Sequence, residues 1–160
     1  SLLPVLEADR PVRQAALYGM FGAGTNITDG RYTYFRYPED MSRQQLYEYT
    51  LMPMHQKSFF PLDVLRGATL VDDFRFTLGV PVLKVPGRRN ADGQSVGHIG
   101  QGGGYEDTRT VLYDLASDPG QVAPVADTAN EARLLGLLRQ LMLLNEAPPE
   151  AFSRLGLTLE

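Results

Sequence analysis

Few residues in this sequence have the types and spacing that catalysis requires. The two histidines, His55 and His98, lie far apart, and neither has a partner at metal-ligand spacing. His55 is best interpreted as a loop residue beside a strand. His98 is the better candidate for ligand contact because it lies in a glycine-rich segment, where binding groups are common. The chain has no cysteine, which excludes a cysteine nucleophile and a thiolate metal site.

Other patterns that could bind ions or phosphate lack a necessary part. The run GHIGQGGG (97–104) has neither the Lys-Ser/Thr ending nor the following helix of a phosphate-binding loop. Asp72 and Asp73 are adjacent, so in a strand their carboxylates would point to opposite faces. The acceptor pattern Asn26-Ile27-Thr28 is short enough to occur by chance. The sequence therefore predicts no catalytic residue and no metal site within this chain.

Composition is that of an ordinary globular domain. The chain has 160 residues, 43% of them hydrophobic, and a net charge of −4. This length predicts a single domain over 1–160, and the charge gives no reason to expect nucleic acid or an anionic membrane as partner. No apolar run approaches the roughly 20 residues of a membrane span. We expect the N-terminus to be a cut inside a longer chain, because Ser1 opens directly onto LLPVLEADRPV.

The segment NITDGRYTYFRYP (26–38) predicts a β-hairpin with its tip at Asp29-Gly30, since this pair tolerates the tight turn that joins antiparallel strands. Counting outward from that tip places Ile27 opposite Tyr32. Ile27 and Tyr32 then share one face, and Phe35 lies on the other. Because both faces carry apolar bulk, we expect the ribbon to be covered on both sides, one of them by something outside this chain.

The remaining pattern predicts an α+β fold, a small antiparallel sheet of about four strands packed by a C-terminal helix. The pattern predicts an antiparallel meander of four strand candidates, at 14–21, 24–28, 31–37 and 46–53. Shorter strand candidates follow at 74–79, 81–87 and 110–115. A short helix is predicted at 61–68 and a long one from Thr128 to Leu144, with Thr128 and Glu131 as a capping box. The leucines of the long helix have helical spacing and should lie against the sheet.

Residues 87–107 form the least regular part of the sequence. They hold seven of the 16 glycines, which predicts a long exposed loop with few packing contacts. Three basic residues of this loop, Arg88, Arg89 and His98, and Lys84 on the adjoining strand are candidates for binding the anionic or polar part of a substrate. A surface loop with no role in binding is the alternative.

Four segments together resemble the carboxy-terminal part of sulfatase-family hydrolases. In chain order they are NITDGRYTYFRYP, LYEYTLMPMH, TVLYDLASDPGQ and LNEAPPEAFSRLGL. The TDGRY hairpin and the LYDL-x-x-DP segment are the most specific, and the terminal RLGL is weaker. The resemblance implies a small antiparallel subdomain that packs against a large α/β catalytic core. That core would be the N-terminal catalytic domain of the same polypeptide.

The resemblance also implies what this chain lacks. Sulfatases use a Cys or Ser in a C/S-x-P-x-R motif, oxidised to formylglycine, together with a divalent cation such as calcium. The nearest approach, Ser117 to Gln121, has Gln where the motif needs Arg. The resemblance therefore implies that the nucleophile and the cation ligands lie N-terminal to Ser1, that the substrate of the whole enzyme is a sulfated small molecule or glycan, and that the fragment alone is inactive.

Two other functions remain open at the level of sequence. A free-standing carbohydrate-binding or interaction module would use the hairpin tyrosines as stacking platforms. A small hydrolase would pair His98 with a carboxylate in a pocket. The binding module predicts exposed, roughly coplanar aromatic rings. The sulfatase resemblance predicts an exposed apolar patch at the hairpin or the strands beside it, where the catalytic core would dock, and the fragment could self-associate through this patch.

Overall fold

The structure is a computed structural model that describes residues 2–54, 58–72, 74–95 and 108–159. Mixed helices and antiparallel strands give an α+β fold, which confirms the predicted class. None of the helices in these ranges is long and apolar enough to cross a membrane. The described residues divide into two compact units, the first made of 2–20, 24–37 and 108–147 and the second of 21–23, 38–54, 58–72, 74–95 and 148–159.

The elements follow one another along the chain in short pieces. The strands are β1 (Ala16–Gly19), β2 (Thr25–Thr28), β3 (Tyr32–Arg36), β4 (Tyr47–Thr50), β5 (Thr69–Val71), β6 (Val82–Pro86) and β7 (Val111–Asp114). The α-helices are α1 (Leu3–Ala8), α2 (Leu62–Arg66), α3 (Thr128–Leu144) and α4 (Pro149–Ser153), and a short 3-10 helix covers Arg75–Thr77.

The first unit contains a four-stranded antiparallel sheet with the order β1-β2-β3-β7. Ile27, Tyr34 and Leu112 lie opposite one another on β2, β3 and β7, and all three are buried. Helix α3 lies against β2 and β3, and it buries Leu134 and Leu138. This arrangement confirms that the long helix packs on the sheet.

The hairpin forms, but its register differs by two residues from the predicted one. Ile27 lies opposite Tyr34, not Tyr32. The carboxylate of Asp29 accepts the backbone N–H groups of Arg31 at 3.0 Å and Tyr32 at 2.8 Å, so the tip is centred on Gly30 and Arg31. Gly30 has a φ of +93°, which a side chain would rarely adopt. Because side chains alternate with a period of two, a slip of two residues leaves every side chain on its predicted face.

Helix α3 begins one residue earlier than the capping box implies. Asp127, not Thr128, is the N-cap, and its carboxylate accepts the backbone N–H of Asn130 at 3.0 Å. Thr128 is the first helical residue. Asp127 and Thr128 are adjacent and both can cap a helix. The carboxylate of Asp127 is favoured because its negative charge also interacts with the positive end of the helix dipole.

The second unit contains a separate three-stranded antiparallel sheet with the order β4-β6-β5. The predicted meander is therefore wrong beyond β3, because β4 pairs with β6 while β7 takes the place beside β3. The strand predicted at 74–79 is also wrong, since Arg75–Thr77 forms a 3-10 helix. Strand β5 was not predicted. The short helix predicted at 61–68 is present as α2.

The described part of the glycine-rich segment, 87–95, is more ordered than predicted. Gly87 donates its N–H to the carbonyl of Leu46 at 2.8 Å, and a Cβ at Gly87 would lie only 2.8 Å from the Cβ of Leu46. Arg89 and Ser95 form an antiparallel bridge, and Ser95 is buried. Residues 88–93 are nonetheless exposed, as expected for a surface loop, and residues 96–107 lie outside the described residues.

Candidate functional site

Lys84, a predicted binding residue on β6, forms an ion pair in the second unit. Its Nζ lies 2.9 Å from Oε1 of Glu150 on α4. The same ammonium lies over the ring of Tyr47, 4.2 Å from the centroid, and 5.5 Å from the centroid of Tyr49. Such cation–π contacts favour the charged amine. Lys84 is therefore held in place by protein groups on two sides.

The hydroxyl of Tyr49 donates to the same carboxylate oxygen of Glu150. Partial burial and this hydrogen bond raise the pKa of Tyr49 to about 12. Burial also tends to raise the pKa of Glu150, but hydrogen bonds from Tyr49 and Lys84 outweigh it and hold that pKa below its ordinary value. For Lys84 burial acts against the charge, and the bonds to Glu150 and Tyr49 outweigh it, so its pKa is raised.

These pKa directions determine what the three groups can do near neutral pH. Lys84 stays protonated, Glu150 stays ionised and Tyr49 keeps its proton. A general base near pH 7 needs a pKa close to that pH, and none of the three is shifted toward it. The cluster can bind and orient a ligand group, but its electrostatics do not favour proton transfer.

Arg89 supports the strand–turn that follows β6. Its Nη1 donates to the carbonyl of Gly93 at 2.6 Å, and its Nη2 donates to Oε1 of Gln45 at 3.1 Å and to the carbonyl of Gln44 at 3.4 Å. Three acceptors on two segments therefore fix the orientation of the guanidinium.

One polar cleft lies beside both predicted cations. It has a volume of about 320 Å³, and its lining includes Gln44 and Gln45, which bind Arg89, and Glu150, which binds Lys84. Arg154 also lines it, donating from Nη1 to Oε1 of Gln44 at 3.0 Å. Burial lowers the pKa of Arg154. Lys84 and Arg89 do not line the cleft themselves, but their partners Glu150, Gln44 and Gln45 do.

The other two predicted binding residues have different positions. Arg88 is exposed next to Gly87. His98 lies outside the described residues. The contribution of both to binding stays a prediction. Within the described ranges, no group of three or more His, Cys, Asp or Glu side chains comes close enough to hold a metal ion.

The two most specific sequence motifs meet in the first unit. Arg31 of TDGRY pairs with Asp114 of LYDL-x-x-DP, with Nη2 and Oδ2 3.1 Å apart. The carbonyl of Arg31 accepts the backbone N–H of Leu115 at 2.7 Å. Asp118, the last acidic residue of the second motif, accepts the backbone N–H of Ala123 at 2.8 Å and so closes the following turn. The charged residues of both motifs therefore organise backbone and strand pairing.

Sequence reasoning did not find Glu150, Gln44 or Arg154. Glu150 stands 66 positions after Lys84, and no short-range pattern connects the two. The one available signal was the terminal segment EAFSRLGL (150–157), which contains Glu150 and Arg154. This segment is the weaker part of the resemblance, although it supplies three of the residues that line the cleft, Glu150, Ser153 and Arg154.

Comparisons with protein-family models, curated proteins and solved structures gave no match to this chain.

Proposed function

We propose that this chain is the C-terminal subdomain of a sulfatase-like hydrolase, a sulfuric ester hydrolase, in which it completes the fold and forms one wall of the substrate pocket. The observation that carries the proposal is the contact between the two motifs on which the resemblance rests. Arg31 and Asp114 lie 83 positions apart in sequence, yet they form an ion pair. Motif residues whose contacts are with each other and with the backbone of the sheet fit a subdomain whose catalytic groups lie elsewhere in the polypeptide.

The partner in this proposal is the N-terminal catalytic domain of the same polypeptide, which would hold the formylglycine and the divalent cation, calcium. Support comes from exposed apolar side chains, because large exposed apolar patches often mark interaction surfaces. In the first unit, Tyr18 of β1 is 42% exposed and Met20 is 65% exposed, while Tyr34 in the hairpin is buried. In the second unit, exposed apolar side chains include Phe59, Leu62, Leu70, Leu78 and Val80. The same surfaces would support self-association of the isolated fragment.

In this proposal the polar cleft faces the polar part of a sulfated small molecule or glycan, with Arg43 and Arg154 as the cations of its lining beside the carboxylates of Glu39, Asp40 and Glu150. Arg89 and Lys84 already have protein partners, so in this proposal they hold the residues of the wall in place and leave no free group for a direct bond to sulfate. Arg88 and His98 complete the proposed set of substrate-facing residues.

The alternative, a free-standing carbohydrate-binding or interaction module, has less support. Stacking platforms for sugars need aromatic faces that are open and roughly coplanar. The ring of Phe35 is perpendicular to those of Tyr18 and Tyr113, at interplanar angles of 83° and 86°. Phe35 of the hairpin therefore packs edge to face with a tyrosine of β1 and a tyrosine of β7, which is the geometry of a packed cluster and not of an open platform.

The experiment begins with the coding sequence upstream of Ser1, which we expect to encode a C/S-x-P-x-R motif. The full-length enzyme should hydrolyse 4-nitrophenyl sulfate, while the isolated chain should neither hydrolyse it nor bind calcium in a calorimetric titration. Turnover by the isolated chain that is lost on replacing one of its residues would contradict the proposal. So would an upstream sequence without the motif.

The wall is tested in the full-length enzyme with Arg89→Ala and His98→Ala, and with Arg66→Ala as the control on exposed α2. If the cleft meets the substrate, kcat/KM on the natural substrate should fall more than kcat/KM on the small aryl sulfate. Equal losses on both substrates, or losses no larger than those of Arg66→Ala, would remove this wall from the substrate site.

A further inference from the structure

A second cavity of the second unit differs in character from the polar cleft. It has a volume of about 340 Å³ and lies between the end of β4 and the 3-10 helix. Val82 and Phe74, which are 4% and 8% exposed, form its buried floor. Leu51, Met52 and Phe76 line it with largely exposed side chains and form its rim. The cavity is therefore concave and open to solvent. We call it the aromatic pocket.

The hydroxyl groups that line the aromatic pocket are already engaged with the protein. The hydroxyl of Thr50 donates to the carbonyl of Met52 at 3.0 Å and accepts the N–H of that residue at 3.1 Å. Thr77 donates its hydroxyl proton to the carbonyl of Phe74 at 2.8 Å. The ring of Tyr49 lines the pocket, and its hydroxyl donates a hydrogen bond to Glu150.

No charged side chain is among the described residues of the lining. Because the hydroxyl groups of the lining are engaged with the protein, a polar ligand that loses its water there would not gain equivalent bonds from them. An uncharged apolar group has no such loss. The lining thus offers no countercharge to an ion and no free hydroxyl partner to a polyhydroxylated group.

Three aromatic rings give the aromatic pocket a specific shape preference. The rings of Tyr49 and Phe74 lie edge to face, with centroids 5.1 Å apart, and those of Phe74 and Phe76 are 5.2 Å apart with a tilt of 34°. The ring of Phe76 is 72% exposed, so one aromatic surface is available to a ligand. Aromatic rings prefer other aromatic rings in offset-stacked or edge-to-face contacts over saturated groups of the same size.

We propose that the aromatic pocket is a binding site for the planar, uncharged aromatic group of a small molecule. Its volume falls in the lower part of the range for small-molecule sites, about 300–1,000 Å³, which suits a one- or two-ring compound. The proposal does not rest on a sulfatase function, because it uses only side chains of the second unit and their own hydrogen bonds.

The test is a calorimetric titration of the full 160-residue chain at neutral pH with 2-naphthol, a flat neutral bicyclic alcohol. The ligand control is decahydro-2-naphthol, its saturated counterpart of similar size. Phe76→Ala removes a pocket wall, and Phe59→Ala is its matched control, since Phe59 is 71% exposed but does not line the pocket. Both side chains are mostly exposed, so both variants should fold.

We expect one site for 2-naphthol, weaker binding of the saturated alcohol, and a loss of about tenfold in affinity in Phe76→Ala. Phe59→Ala should stay within about twofold of the parent. Equal losses in the two variants would indicate general adhesion to exposed apolar residues and would overturn the proposal. Equal binding of the two alcohols would overturn it as well. The proposal would also be overturned if a second copy of the chain covered the pocket. In that case the parent chain would be a dimer that does not bind 2-naphthol, and Phe76→Ala would dissociate the dimer.

Discussion

Nζ of Lys84 lies 2.9 Å from Oε1 of Glu150, and this ion pair connects β6 to the C-terminal helix α4. The same C-terminal segment places Phe152 and Leu155, 0% and 1% exposed, in the interior of the second unit. Arg154 adds a hydrogen bond of 2.7 Å to the carbonyl of Ala23. The last residues of the chain therefore complete the second unit through burial, charge and hydrogen bonding together.

The first prediction concerns the acid stability of the second unit. The pKa of Glu150 is lowered in the folded state, so its ionised form stabilises the fold above its ordinary value of 4.5. That contribution is lost as the pH falls through 4.5 toward the lowered pKa. Glu150→Gln should lower the urea midpoint at pH 7 and reduce the further loss between pH 5 and pH 3. Glu39→Gln, an exposed acid of the same unit, is the control. An unchanged pH profile in Glu150→Gln would show that the ion pair has no net effect.

Alkaline stability gives the second prediction. The pKa of Tyr49 is raised to about 12 from an ordinary value of 10.0, so the folded state favours the protonated phenol. Its stabilising contribution is complete below pH 10 and is lost as the pH rises from 10 toward 12. In Tyr49→Phe the fall in stability between pH 9 and pH 11 should be smaller than in the parent, as measured by urea unfolding. Tyr47→Phe serves as the control, and a similar change in both variants would exclude a specific role for the bond to Glu150.

Helix α3 provides a matched pair of leucines for the third prediction. Leu138 is 0% exposed and Leu144 is 67% exposed. Leu138→Ala should reduce the free energy of unfolding by about 2–5 kcal/mol, because it truncates a core side chain and leaves a cavity. Leu144→Ala should change it by less than about 0.5 kcal/mol, as for most exposed positions. Chemical denaturation measures both, and comparable losses at the two positions would mean that α3 buries a different face.

The fourth prediction separates two candidate caps of α3. Asp127→Ala removes the carboxylate that accepts the N–H of Asn130, and it should lower the Tm by about 2–4 °C. Thr128→Ala should have almost no effect, since Thr128 is the first helical residue and not the cap. Differential scanning calorimetry distinguishes them. A larger fall for Thr128→Ala would restore the capping box that the sequence indicates.

The hairpin shows how far local sequence rules reach. The pair Asp29-Gly30 indicated the turn, and alternation assigned the faces of Ile27 and Phe35 to opposite sides. The register needed the three-dimensional structure, because the carboxylate of Asp29 binds two backbone N–H groups at the tip and moves the first strand pair outward. A rule based on residue types alone does not distinguish a turn centred on Asp29 and Gly30 from a turn centred on Gly30 and Arg31.

The candidate site was less predictable than the fold. Lys84 and Arg89 were identified from their charge and position beside a glycine-rich segment, and both have partners that line one cleft. Those partners, Glu150 and Gln44, were not identified. No sequence motif fixes the spacing between Glu150 and Lys84, or between Gln44 and Arg89.

What the sequence alone determined was local: the α+β class, the hairpin at Asp29-Gly30, the long helix α3 and the charge of the candidate binding residues. The tertiary structure decided which strands pair, placing β7 rather than β4 beside β3, and it brought α4 back to β6. The physical reason is the range of the interactions. Turn sterics, capping and helical spacing act within a few residues, whereas strand pairing and the Lys84–Glu150 contact depend on side chains that meet only after the chain has folded.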